Sequence, residues 1–155
     1  MYYIGIDISK FKHDCAVIDD SGEIITPSWS FTNDSEGFSQ LKILLDSLDA
    51  ETRIGLESTG HYGMNLKLFL ESNNFSFMEF NPLLINRFVK SKSLRKTKSD
   101  SIDCMMIAYY LMTVEYKPYP TLLYHTEKLK SLTRFSDSLI RLRSRQLVEL
   151  TNILD

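Results

Sequence analysis

Three β-patterned runs in immediate succession, then alternating helical and β patterns, constrain this 155-residue chain more than any other feature. Residues 2–8 (YYIGIDI) are β-branched and aromatic with one charge, the composition of a buried strand. Residues 13–19 (HDCAVID) read as a second strand, and the turn Asp20-Ser21-Gly22 leads into a third over 23–31. Phe38, Leu41, Leu44, Leu45 and Leu48 then recur at helical spacing, opened by the cap sequence Asn33-Asp34-Ser35. A short strand is expected over 52–57 (TRIGLE) and a turn at Ser58-Thr59-Gly60, with Ser58 and Thr59 capping a helix over 62–72. FSFMEF at 75–80 is the last strand, and Asn81-Pro82 starts a short helix through about Val89. A meander followed by strand–helix alternation predicts an α/β fold: a mixed five-stranded sheet with helices on its faces.

The second half differs in character. Residues 86–98 (NRFVKSKSLRKTK) carry six basic side chains and little hydrophobic periodicity, which predicts a loop. A helix over 100–114 follows, and Lys117-Pro118-Tyr119-Pro120 ends it. From about Glu127 to Asp155 the pattern is one long helix, with Leu129, Leu132, Phe135, Leu139 and Leu142 in one stripe and Leu147, Leu150 and Leu154 after a phase shift. The expected division is residues 1–116 as one domain and 117–155 as a linker and helical region. An apolar share of 43% allows a sizeable core. Cys15 and Cys104 form no C-x-x-C motif, so reduced buried thiols in a cytoplasmic protein are expected. Neither a signal peptide nor a membrane-length apolar run is legible.

The net charge of −2 conceals an asymmetry: residues 1–85 hold 5 basic and 13 acidic side chains, residues 86–155 hold 13 and 7. An acidic body with a basic flank suits a polyanionic partner, although a solvated helical surface has the same composition.

Four acids stand out. Asp7 and Glu57 each fall at the end of an apolar β-run, and Asp100 and Asp103 lie three apart at the start of a helical pattern. Residues three apart on a helix share a face. Carboxylates gathered from separate elements repel one another unless a cation lies among them. Hard oxygen donors suit Mg2+ or Mn2+, and two such ions activate an oxygen nucleophile and stabilise the leaving oxygen at a phosphodiester. Each acid alone has a plainer role. Asp100 can cap its helix with Asp103 in the first turn, Asp7 can be a hydrogen-bonded core carboxylate or the phosphate-site aspartate of an actin-like ATPase, and Glu57 can simply end a strand. Their joint occurrence favours metal binding.

The element order is similar to the ribonuclease H-like core, whose first strand is central and lies beside the strand after the first helix. GIDISK at 5–10, GLESTGHYG at 55–63 and KSDSIDCMMIA at 98–108 resemble, in order, the three motifs of the insertion sequence 110 family of transposases, which are similar to Piv-type DNA invertases. The resemblance implies a RuvC-like domain in which Asp7, Glu57, Asp100 and Asp103 are the DEDD tetrad binding two Mg2+ (or Mn2+) ions. Lys10, Thr59, Gly60 and Tyr62 fall on further motif positions without an assigned role. Ser99 replaces the usual Thr and Cys104 the usual Ala. It further implies Mg2+-dependent DNA recombination, a guide RNA, a prokaryotic, nucleoid-associated location, and a C-terminal domain with a serine for strand transfer, so this chain is expected to be a fragment.

Arg87, Lys90, Lys92, Arg95, Lys96 and Lys98 lead directly into the second acid pair and are the expected nucleic-acid contacts. The last helix is expected to mediate homo-oligomerisation. His13, His61 and His125 have no metal-ligand partner at helical spacing, and no nucleophile elbow, dinucleotide fingerprint or P-loop occurs. Two other classes compete: an actin-like or sugar-kinase ATPase, which would need a second Gly-rich phosphate loop, and a non-enzymatic nucleic-acid-binding or dimerisation module, whose stability would not respond to divalent ions.

Overall fold

The computed structural model describes residues 1–57, 62–91, 100–118 and 124–154. Five strands, β1 (Tyr2–Ile8), β2 (Lys12–Asp19), β3 (Ile24–Thr32), β4 (Thr52–Glu57) and β5 (Phe77–Phe80), form one sheet in the order β3-β2-β1-β4-β5. The meander β1-β2-β3 is antiparallel, whereas β4 runs parallel to β1 and β5 parallel to β4. The sheet is thus mixed, as the element order predicts.

Sequence explains the strand order. β1 is apolar on both faces, with Ile4 and Ile6 fully buried and Tyr3 nearly so, as a central strand must be. β3 carries Thr26, Pro27, Ser28 and Ser30 and lies at an edge, where a missing Pro N–H costs no ladder bond. The turn between β2 and β3 is held by Asp19, whose Oδ1 accepts from the backbone N–H of Ser21 and Glu23 and from the Ser21 hydroxyl.

Helices cover both faces. α1 (Ser35–Ser47) is capped by Asp34, which accepts from the Gly37 N–H at 3.0 Å and from the Thr32 hydroxyl at 2.7 Å. Its Phe38 stacks on His13 of β2 and on Phe69 of α2 (Met64–Ser72), so these two helices share one face of the sheet. On the other face α4 (Asp100–Thr113) lies against β1, β2 and β4. Its Ile107, Ala108 and Leu111 are fully buried with Tyr3, Ile18 and Phe80. Burying a side chain the size of Ile107 or Leu111 contributes about 1.5–3 kcal/mol.

Several boundaries differ from the sequence reading. The helix after Asn81-Pro82, α3 (Pro82–Ser91), is present as expected and ends two residues past the expected Val89, so the first part of the basic stretch, residues 86–91, is helical rather than loop. Ile85 is buried, Val89 packs on the α4 core and the Phe88 ring sits 5.3 Å from Tyr110. That apolar stripe is masked in the sequence by the interleaved Asn86, Arg87 and Lys90. α2 begins at Met64 with Gly63 as its N-cap, so the cap is not at Ser58 or Thr59, which themselves lie outside the described residues. α2 closes through Asn74 in the left-handed region (φ 60°), and this tight exit delays β5 until Phe77.

The chain divides into two compact units, Met1–Pro120 and Thr121–Asp155. The second consists of α5 (Tyr124–Leu154), a single helix of 31 residues with Leu129, Leu132, Phe135, Leu139 and Leu142 exposed. No described helix is long and apolar enough to cross a membrane. Both cysteines are buried thiols.

Candidate carboxylate site

The face beneath α4 is fixed at Gly5. A Cβ there would stand 2.0 Å from the Cys104 carbonyl oxygen and 2.5 Å from the Ala108 nitrogen, so α4 rests on the bare backbone of β1. Strand alternation then directs Tyr3, Gly5 and Asp7 to the α4 face. Gly55 of β4 pairs with Gly5 and meets Ile107 and Leu111 of the same helix, so Arg53, Gly55 and Glu57 share that face. The parallel register runs through Ile6 and Leu56, which places Asp7 and Glu57 one step further on, side by side at the ends of neighbouring strands. Neighbouring strands lie about 4.8 Å apart. Asp103 immediately precedes Cys104, the residue resting on Gly5. Asp7, Glu57 and Asp103 are each half-buried.

The charge on this face is felt by its neighbours. Burial pushes the Cys104 thiol up, and the carboxylates of Asp14 and Asp7 push it in the same direction, partly offset by a hydrogen bond with the Ser28 hydroxyl at 3.2 Å. Asp14 is a residue that sequence analysis passed over. It is the cross-strand partner of Asp7, so both side chains leave the same face of the sheet. Only 6% of Asp14 is exposed, and it accepts a hydrogen bond from the Ser30 hydroxyl. Lys12 lies 3.6 Å from its Oδ2. The signal was available: a β1-β2 hairpin centred between Lys10 and Phe11 sets Asp7 opposite Asp14.

Asp100 opens α4, one turn before Cys104, but its side chain lies outside the described residues. Among the described residues no group of three or more His, Cys, Asp or Glu is close enough to hold a metal ion. The donor set nevertheless fits a hard divalent cation in its chemistry. Its acids offer only carboxylate oxygens, the donors that a hard cation prefers. Of the expected basic contacts, Arg87 and Lys90 are exposed on α3, and Lys92, Arg95, Lys96 and Lys98 lie outside the described residues.

Comparison with known proteins fits this geometry. The structure is similar to Thermus thermophilus RuvC in complex with a Holliday junction substrate, with a TM-score of 0.54 over 77% of this chain and all of that one at 10% sequence identity. A RuvC-like, ribonuclease H-like fold is thereby defined. The sequence profile of the DEDD transposases of the insertion sequence 110 family matches residues 4–155, and the chain belongs to that family. It is 32% identical over 112 residues to the pilin gene-inverting proteins of Moraxella bovis and Moraxella lacunata, matching 70% of this chain and 33% of each relative. The chain spans about a third of the length of those relatives.

Proposed function

We propose that residues 1–116 form the metal-dependent catalytic domain of a DNA transposase or recombinase, and that 117–155 form a linker and a helical assembly region. The observation that carries this reading is the register that sets Asp7 beside Glu57 on the face where the first turns of α4 bring Asp103. Asp7, Glu57, Asp100 and Asp103 would hold two Mg2+ or Mn2+ ions. When bound, such ions lower the pKa of an attacking oxygen and stabilise the departing one.

The chain's own residues supply the rest. β1 and β4 hold Asp7 and Glu57 rigidly, because each strand is paired on both sides. α4 brings Asp103 to the same face from a separate element, and like charges gathered there favour a cation among them. Basic side chains on α3 (Arg87 and Lys90) and on the segment that follows it would hold a DNA backbone over the acids. The RuvC neighbour is described with a Holliday junction, which supports branched DNA as the substrate class. Guide-RNA use, homo-oligomerisation through α5 and a cytoplasmic, nucleoid-associated setting complete the reading.

The test is a divalent-ion titration followed by thermal melting. Millimolar Mn2+ or Mg2+ raises the Tm of the chain, because the ion binds only the folded form, and Asp7→Asn abolishes the rise while the fold persists. A Tm indifferent to both ions, in the presence of duplex DNA as well as without it, overturns the reading.

A further inference from the structure

The Lys12–Asp14–Ser30 network beside the acid row has no part in the scheme above, yet it is built. Asp14 is a carboxylate with 8% of its side chain exposed, directly opposite a second carboxylate, Asp7, in the hairpin. Burying a carboxylate next to a like charge is costly. Its hydrogen bond from Ser30 is made across the β2-β3 pair, where the two residues are register partners. Its cationic partner, Lys12, is held 3.6 Å from Asp14 and 3.5 Å from the Ser30 oxygen. Lys12 lies two residues before Asp14, hence on the same face of the sheet, one step beyond the Asp7–Asp14 pair. Unlike its anchor, half of the Lys12 side chain is open to solvent.

From this we infer that Lys12 is a DNA phosphate contact of the carboxylate face, with Asp14 and Ser30 as its positioning residues. An ammonium has three donors, and two neighbours on the protein leave one for an incoming phosphate oxygen. The anchor fixes an otherwise flexible four-carbon stem at the rim of an acidic row that would otherwise repel DNA. Lys12 belongs to the acidic half of the chain, on β2, and so is separate in sequence from the basic flank at 87–98. The inference rests on the reading of this face as the DNA-facing one.

The test uses the full chain and a fluorescently labelled DNA duplex in EDTA, so that binding is scored without divalent ions. The decisive variant is the charge-neutral double change Lys12→Gln with Asp14→Asn, which leaves no buried carboxylate without its cation. Expected is a weaker complex whose slope of log K against log salt is shallower by about 0.9, the loss of one phosphate contact, at a Tm close to the parent's. Lys12→Arg retains the parent slope. A double variant with the parent slope and affinity shows that Lys12 serves only to neutralise Asp14 and overturns the inference, as does a parent chain that binds no duplex at low salt. The divalent-ion melting shift scores the catalytic reading separately, so the two can fail independently.

Discussion

Gly5 and Cys104 meet backbone to backbone: a methyl group on the strand residue would lie 2.0 Å from the carbonyl oxygen of the helix residue. Neither partner can yield, because β1 is hydrogen-bonded on both sides and α4 is buried along its core face. Gly5→Ala is therefore expected to destabilise the fold by about 3 kcal/mol, the upper part of the usual overpacking range. Gly55→Ala is expected to cost about 1 kcal/mol, because its closest obstacle is the Phe80 ring at 2.8 Å, a side chain that can shift. Urea unfolding of the two variants checks the ranking. Equal losses would show that α4 does not rest on β1 as described.

Asp7 faces Asp14 directly across the hairpin, and like charges in that relation are destabilising. In EDTA, Asp7→Asn is expected to be more stable than the parent by up to about 1 kcal/mol. In millimolar Mn2+ the order reverses, since only the parent gains from the ion. Melting curves in the two buffers show the crossing, and parallel curves would exclude a metal among these acids.

His13 is fully buried between Phe31 and Phe38, and neither ring nitrogen makes a hydrogen bond of standard geometry. Burial lowers its pKa below the ordinary 6.5, outweighing the opposing influence of nearby Asn33 and Asp14. The unfolded chain then binds more protons than the folded one just below that value. Stability from this site is complete above the unfolded pKa and is lost as pH falls from 6.5 toward the folded value. His13→Leu is expected to flatten the dependence of urea-unfolding stability on pH below 6.5 relative to the parent. An unchanged slope would mean that the ring is protonated in place.

α5 exposes Leu132, Phe135, Leu139 and Leu142 at three- and four-residue spacing. Such a stripe is expected to pair with a second copy, so sedimentation equilibrium should show a mass that rises with concentration. Leu139→Lys with Leu142→Lys should leave a monomer with the melting behaviour of residues 1–120 unaltered. A parent that stays monomeric at high concentration removes the helix from the assembly role.

How much of this was legible beforehand depended on whether a signal was local. The sheet was, because β1 declares itself by being apolar on both faces and β3 by its serines and proline. Asp7 and Glu57 were, because each interrupts an apolar run at its end. α3 was legible only in part: a helix from Asn81-Pro82 to about Val89 was expected, but its stripe of Ile85, Phe88 and Val89 is threaded with Arg87 and Lys90, so the stretch from 86 onward also read as loop. Asp14 escaped for the opposite reason. It sits within a run that reads as core, and its importance appears only when the hairpin register sets it against Asp7. The cap of α2 was misplaced because Gly63 offers no side-chain acceptor to recognise.

The close seat of α4 on β1 also decides what can move. A helix clamped at its fifth and ninth residues cannot slide along the strand or roll upon it without separating two main chains. The turn that precedes the clamp, bearing Asp100 and Asp103, overhangs it like the short arm of a lever. Any adjustment that brings those two acids nearer to Asp7 and Glu57 must be a tilt about Gly5, small in amplitude and set by a residue that carries no charge.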